Sequence, residues 1–256
     1  MAGEGHALVV EQDGGPVACL FTRPSRDVAG ALYLGALAVA RHARRRGLAR
    51  ELIEAAAEIG RAEGYGALTL DTGARHRHLL RLFGKAGFAV VAQAGGIVQL
   101  QRALVWQIGT SDPARPVLSL IRNAFAQMEG RIDPPSSATR LDVVGIRAQV
   151  QDGEIWGIGD PLVACVFLTP QGDGMYVGKL AVAPAYRGQG HAARLLALAE
   201  DRARAMGLRR LDLKVRVELV ENHAFFRKAG FERVGEDRHA GFDRTTTLLF
   251  SKEVTP

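Results

Sequence analysis

The feature that most constrains this chain is that it repeats itself. Shifted by 143 positions, residues 33–88 lie over residues 176–231 without a gap, and 21 of the 56 pairs are identical. The identities fall into ordered groups: Tyr-x-Gly-x-Leu-Ala-Val-Ala, Arg-x-x-Gly-x-Ala, Arg-Ala-x-Gly and Phe-x-Lys-Ala-Gly-Phe. Upstream, Val17-Ala18-Cys19-x-Phe21-x-x-Pro24 recurs as Val163-Ala164-Cys165-x-Phe167-x-x-Pro170 at an offset of 146, so the first copy holds a loop three residues longer. Self-similarity at this scale dictates two homologous units. A length of 256 residues suits two small domains, and the expected division is 1–103 and 104–256.

Each copy reads as two strands joined by a turn, a long strand, a glycine turn, a helix, a strand, a short helix and two final strands. The long strand, Gly35 to Ala40 or Gly178 to Ala183, is nearly all apolar, the pattern of a strand buried on both faces. The helix after it ends at Gly64 or Gly207, glycines placed to take the left-handed conformation that closes a helix. The copies differ at their fronts. The second has an added strand (Leu104 to Ile108) and an added helix. That helix opens at Ser111-Asp112-Pro113, where Asp suits a cap and Pro the first turn, and it carries Val117, Leu118, Ile121 and Phe125 at helical spacing. A second added helix is expected from Ser136 to Val150.

The glycine turn of the second copy is Arg187-Gly188-Gln189-Gly190-His191-Ala192. Small residues opening a helix leave backbone N–H groups unpartnered at the positive end of the helix dipole, which favours an anion such as a pyrophosphate. Glycine lets the backbone approach that anion, because a side chain would stand between them. Gly188-x-Gly190-x-x-Ala193 also satisfies much of a dinucleotide-binding fingerprint. That fingerprint, however, belongs after the first strand of a domain, and the first copy has Arg45 where its first glycine is needed. What both copies keep is Arg44-x-x-Gly47-x-Ala49 and Arg187-x-x-Gly190-x-Ala192.

This turn, following Leu-Ala-Val and preceding a long helix, resembles the acyl-CoA pyrophosphate loop of the GNAT N-acetyltransferase superfamily. Asn222-His223-Ala224-Phe225-Phe226-Arg227-Lys228-Ala229-Gly230-Phe231 resembles the late helix of that family, and residues 117–125 resemble its first helix. The resemblance implies an α/β (α+β) fold of two tandem GNAT-like domains, each a mixed central sheet flanked by helices with a splayed central strand. The first is shortened and degenerate; the second is complete. It implies acetyl-CoA as acyl donor and a small-molecule or peptide amine as acceptor, acetylated by direct attack in a ternary complex. The alternative is a non-catalytic CoA-binding module or pseudoenzyme.

Carried onto this sequence, the resemblance places the backbone of Leu180 and Val182 along the pantetheine, with the Leu180 N–H on the thioester carbonyl. Gly188, Gln189, Gly190, His191 and Ala192 hold the pyrophosphate with Arg187 nearby, and Asn222 contacts CoA or caps its helix. Tyr176 stands where some relatives place a glutamate base, although an ordinary phenol is a poor base at neutral pH. The sequence departs from the family at the usual general-acid tyrosine, which is Phe226 here and Phe83 in the first copy. Glu218 and Glu221 belong to a solvated loop or the acceptor cleft. His191 and His223 read as exposed polar residues, and the first copy reads as a structural half more than a second CoA site.

Several classes are excluded or left minor. The net charge of +6 is not gathered into a tail. Its densest cluster, Arg41 to Arg46, reads as a helix start or an anion site, and no nucleic-acid motif accompanies it. Nucleic acid is therefore not an expected partner. Two cysteines, Cys19 and Cys165, each in an apolar run, give no disulfide framework. His76 and His78 are two apart and cannot share a helix face, so no metal is expected. No apolar run spans a membrane and no export signal is visible, so the expected location is the cytoplasm. A monomer with pseudo-dimeric halves or a homodimer fits two homologous units.

Overall fold

The computed structural model describes residues 5–255. The chain divides into two compact units, one running to Val105 and taking in Gly159–Pro161, the other holding Trp106–Ile158 and the chain from Leu162 onward.

Unit 1 is a sheet with two helices. Its strands are β1 (His6–Gln12), β2 (Gly15–Pro24), β3 (Ala31–Val39), β4 (Ala67–Gly73), β5 (Ala89–Ala94) and β6 (Ile97–Ala103), and its helices are α1 (Leu48–Ala62) and α2 (Arg77–Lys85). The spatial order is β1-β2-β3-β4-β6-β5. Only the β3–β4 pair is parallel; the rest are antiparallel. Helix α1 buries Leu52, Ile53, Ala56, Ala57 and Gly60, a stripe at helical spacing, against Leu20, Leu32, Leu68 and Leu100. Gly60 lets the Leu104 side chain pack close, since a Cβ there would stand 2.9 Å from it and force it to shift.

Unit 2 repeats this plan and adds to its front. It contains β7 (Val105–Ile108), α3 (Ala114–Phe125), α4 (Val143–Asp152), β8 (Glu154–Ile158), β9 (Ala164–Gln171), β10 (Gly174–Val182), α5 (His191–Ala205), β11 (Arg210–Arg216), α6 (Val220–Lys228), β12 (Glu232–Asp237) and β13 (Thr247–Glu253). The order is β12-β13-β11-β10-β9-β8-β7, with β10–β11 parallel. Helices α3 and α4 pack with Cys165, Phe167 and Ala181. Helix α5 lies on β9, β10 and β11 outside that cluster, so helices cover both faces. The tandem mixed-sheet fold is the one expected from the sequence.

Local expectations need three corrections. Asp112 does not cap α3: its carboxylate accepts from the Gly109 N–H at 2.7 Å, closing the turn before the helix, and Pro113 occupies the cap position. The second added helix is broken. Ser137–Arg140 forms a 3-10 turn, and α4 restarts only at Val143 because Asp142 turns extended and accepts from the Gly145 N–H at 2.8 Å. The basic cluster from Arg41 to Arg46 precedes α1 instead of starting it, with Arg41–Ala43 in a 3-10 turn.

A fourth difference bears on function. The far halves of β3 and β10 are not buried on both faces; Leu37, Val39, Leu180 and Val182 are partly open. The cause is a splay. β10 pairs with β11 only through Gly174–Arg210, Met175–Leu211 and Tyr176–Asp212, although both strands run on. On its other side the register with β9 slips between Gly178 and Ala181, and Lys179 sits at φ +46°. Such a bulge bends its strand and re-aims the side chains beside it. Unit 1 does the same: β3 pairs with β4 only through Ala31–Ala67, Leu32–Leu68 and Tyr33–Thr69, and Ala36 has φ +50°.

Candidate active site

The splay leaves a gap beside β10 with free backbone groups along it. The Ala183 N–H donates to the Val163 carbonyl at 2.8 Å, on the β9 side. Because N–H directions alternate along a strand, Val182 and Leu180 turn theirs to the side where β11 has departed. In unit 1 the Ala40 N–H donates to the Val17 carbonyl at 2.8 Å, which turns Val39 and Leu37 the same way.

At its far end β10 runs through a 3-10 turn, Pro184–Tyr186, into the glycine loop and α5. Gly188 has φ +73° and Gly190 φ +81°, and a Cβ at either would meet nothing within 4 Å. The glycines therefore serve the left-handed backbone and an open approach. Gly190 is the cap residue of α5, and no side chain satisfies the first N–H groups of the helix. A cavity of about 650 Å³ joins the gap to the loop, lined by Leu180, Val182, Arg187, Gly188, Gly190 and Ala192 among others. Its size and shape suit an extended ligand with an anionic end.

Gln189 turns back, its amide donating to the Ala185 carbonyl at 3.4 Å, and it does not line the cavity. Arg187 lines the cavity, but its guanidinium donates to the Ala124 carbonyl at 3.1 Å and to the Gln127 side chain. It thus holds the carbonyl end of α3, where a cation is favourable. Asn222 lines the cavity and is no cap: α6 begins at Val220 with Leu219 in the cap position.

His191 and His223 are buried, not exposed. The His223 ring pairs with the Arg216 carbonyl at 2.8 Å. His191 is the first residue of α5, and its Nδ1 is buried without a partner. Burial, with the Arg194 charge adding to it, pushes the His191 pKa below the usual histidine value.

Tyr176 lines a second cavity on the other side of Leu180. Burial raises its pKa, only partly opposed by Lys214, so it stays a protonated phenol at neutral pH. Phe226 borders both cavities and packs edge-on against Phe225 and Phe231, with centroids 5.2 and 5.8 Å away. Glu221 is bound by Arg131 at 2.7 Å, and Glu218 lies 3.6 Å from Arg216 and 3.4 Å from Arg244; neither lines either of these two cavities. Burial pushes the Cys165 thiol up to about 12, which removes it as a nucleophile. Among the described residues no cluster of side chains fits a metal ion, and no helix is long and apolar enough to cross a membrane.

Two contributors escaped the sequence reading. Lys179 and Arg140 both border the second cavity. The signal for Lys179 was present as the one charge in an apolar strand, at the position where the first copy has Ala36. Nothing local marked Arg140, which the broken helix brings in.

The sequence pattern of the Acetyltransferase (GNAT) family matches residues 1–88 and 131–231, well over half of the chain. The chain belongs to the GNAT family. Among solved structures it is similar to the PaiA N-acetyltransferase from Thermoplasma acidophilum in complex with coenzyme A, at 15% identity and a TM-score of 0.50, over 58% of this chain and 97% of that one. It is also similar to a probable acetyltransferase from Staphylococcus epidermidis, at 13% identity and a TM-score of 0.50, over 59% of this chain and 98% of the other. No curated protein matches it. GNAT enzymes use acetyl-CoA, and the gap, the open glycine loop and the orphaned His191 nitrogen of unit 2 fit an extended ligand ending in phosphates.

Proposed function

We propose that unit 2 is an N-acetyltransferase that moves an acetyl group from acetyl-CoA to a primary amine by direct attack in a ternary complex. The observation that carries this reading is the continuity of the β10–β11 gap with the glycine loop: one cavity runs from Leu180 and Val182 to Gly190.

Acetyl-CoA supplies an acyl group activated as a thioester. The Leu180 N–H, turned into the gap, donates to the acyl oxygen, where charge develops as the amine attacks; a preorganised donor of this kind is a large contributor to catalysis. Val182 extends the same polar edge. The N–H groups of Gly188 to Ala192 hold the phosphates, with His191 beside them. Arg187 acts on the site by fixing α3, which brings Phe125 and Met128 to the wall of both cavities.

Tyr176, held protonated by burial, is a hydrogen-bond donor to the acceptor and not its base. No Asp or Glu lines either cavity among the described residues, so no carboxylate takes the amine proton there. Phe226 cannot protonate the departing thiolate. General acid catalysis is worth about 10²–10⁴ in rate, so transfer is slowed and not abolished. Unit 1 is the degenerate partner. It has the gap and the loop but no counterpart of α3 or α4, so it can at best hold one reactant and cannot orient two.

The absence of the acid favours one other reading, a CoA-binding module without activity. Acetyl-CoA mixed with a panel of amines, with free thiol followed over time, separates the two. Amine-dependent thiol release supports the transferase; tight CoA binding with no release from any amine leaves the binding module.

A further inference from the structure

The second cavity of unit 2 carries a charge pattern that selects among amines. It is about 280 Å³ in volume and meets the first at Phe125, Leu180, Asn222 and Phe226. Its charged or titratable lining consists of Arg140, Lys179, Lys214, Arg216, His239 and the Tyr176 phenol, with no carboxylate among the described residues. Several of these are already matched. Lys214 lies 3.0 Å from Asp237 and the His239 ring pairs with Thr246 Oγ1 at 2.7 Å, while Arg216 is paired by charge alone with Glu218 at 3.6 Å, its Nε and one Nη buried without a hydrogen-bond partner.

Lys179 and Arg140 have no carboxylate partner among the described residues. The Lys179 Nζ donates to the neutral Ser137 Oγ at 2.5 Å, and Arg140 stands close enough for the two cations to repel. Burial, then Arg140, pushes the Lys179 pKa down. The bulge does not need a lysine. Unit 1 forms the same bulge with Ala36 at φ +50°, against φ +46° at Lys179. A charge there, half-buried beside a second cation at the mouth of the reacting end, is not required by the bulge.

We propose that the acceptor amine carries a carboxylate, held by Lys179 and the fork of Arg140, while its amino group faces Leu180. A guanidinium and an ammonium converging on one carboxylate make charge-assisted hydrogen bonds, and the same two cations repel polycationic amines. The inference rests on reading unit 2 as an N-acetyltransferase.

The test uses the full chain and matched acceptors: glycine, β-alanine and 4-aminobutyrate, each against its carboxamide. The expected result is a preference for the best carboxylate of about tenfold or more in kcat/KM, the scale of one charged hydrogen bond. Lys179→Gln should collapse that preference through KM, Lys179→Arg should keep most of it, and Arg140→Gln, on an exposed turn, should weaken it if Lys179→Gln fails to fold. Equal use of each matched pair, or a preference untouched by these variants, overturns the proposal. Calorimetry separates its failure from that of the transferase reading. N-acetylglycine and N-acetylglycinamide are titrated into the CoA-saturated protein. Selective binding of the carboxylate with no turnover of any amine sinks the transferase and keeps the carboxylate site, whereas turnover without carboxylate preference does the reverse.

Discussion

The glycine loops of the two units have nearly the same backbone and different surroundings. Gly47 and Gly190 both cap their helices in the left-handed conformation, at φ +85° and +81°, with open space where a Cβ would stand. Arg44 and Arg187 occupy matching places, yet Arg44 donates to the Val39 carbonyl at the end of β3, at 3.2 Å, while Arg187 reaches across to the end of α3. After the glycine, unit 1 places the buried Leu48 and unit 2 the buried His191. Unit 1 also keeps a cavity of about 850 Å³ beside its gap, lined by Leu37, Val39, Gly47 and Ala49. A shared loop thus specifies room for an anion. On the proposed function, the added helices of unit 2 decide whether a second reactant can be placed against it.

The sharpest way to break this comparison is to charge both loops. Gly190→Asp puts a carboxylate where the phosphates would lie, and like charges at that distance cost several kcal/mol. We expect acetyl-CoA turnover to fall by about a hundredfold or more, while Gly47→Asp leaves most of it. Circular dichroism checks that both variants fold. Equal losses would mean that unit 1 shares in the reaction, and the reverse pattern would move catalysis to unit 1.

A smaller effect is expected from restoring the hydroxyl. Phe226→Tyr should raise kcat about tenfold, within the range of general acid catalysis, with little change in the KM for acetyl-CoA; Phe83→Tyr should change neither. A fall in kcat for a folded Phe226→Tyr protein would show that the ring is there to pack against Phe225 and Phe231.

The smallest effect concerns His191. Its pKa is lowered in the folded state, so the unfolded chain takes up its proton first as the pH falls. The stability contribution of the neutral ring is full above the unfolded value near 6.5 and is lost as pH drops through the lower, folded one. His191→Leu, which copies unit 1, should shrink the difference in Tm between pH 7.5 and pH 5.5 by a few degrees at most. An unchanged difference would show that His191 titrates normally, and therefore that its ring is open to water.

Much of the fold was legible because it was written twice. The Tyr-x-Gly-x-Leu-Ala-Val-Ala strand, the glycine loop and the Gly-Phe ending repeat in order, and each is a local signal whose spacing survives in both copies. Gly64 and Gly207 do take positive φ, at +80° and +68°, as a helix-ending glycine should. Legibility failed where one residue had two local partners within reach. Asp112 had a turn N–H within reach as well as the helix start, and took the turn. The stretch from Ser136 to Val150 has helical spacing, but Asp142 offers the chain a cap in its middle, and the helix restarts there.

By itself, then, the sequence determined the two-unit plan, the mixed sheets and the left-handed glycine turn that opens a helix, because period, glycine and helix start are properties of short segments. Tertiary structure decided how far β10 and β11 stay paired, which histidines are buried, and that Arg187 is spent on α3. It also decided that Lys179 and Arg140 share one cavity although they lie far apart in the chain. Those outcomes depend on which elements meet, and no segment carries that information alone, because burial and charge pairing are set by neighbours distant in sequence.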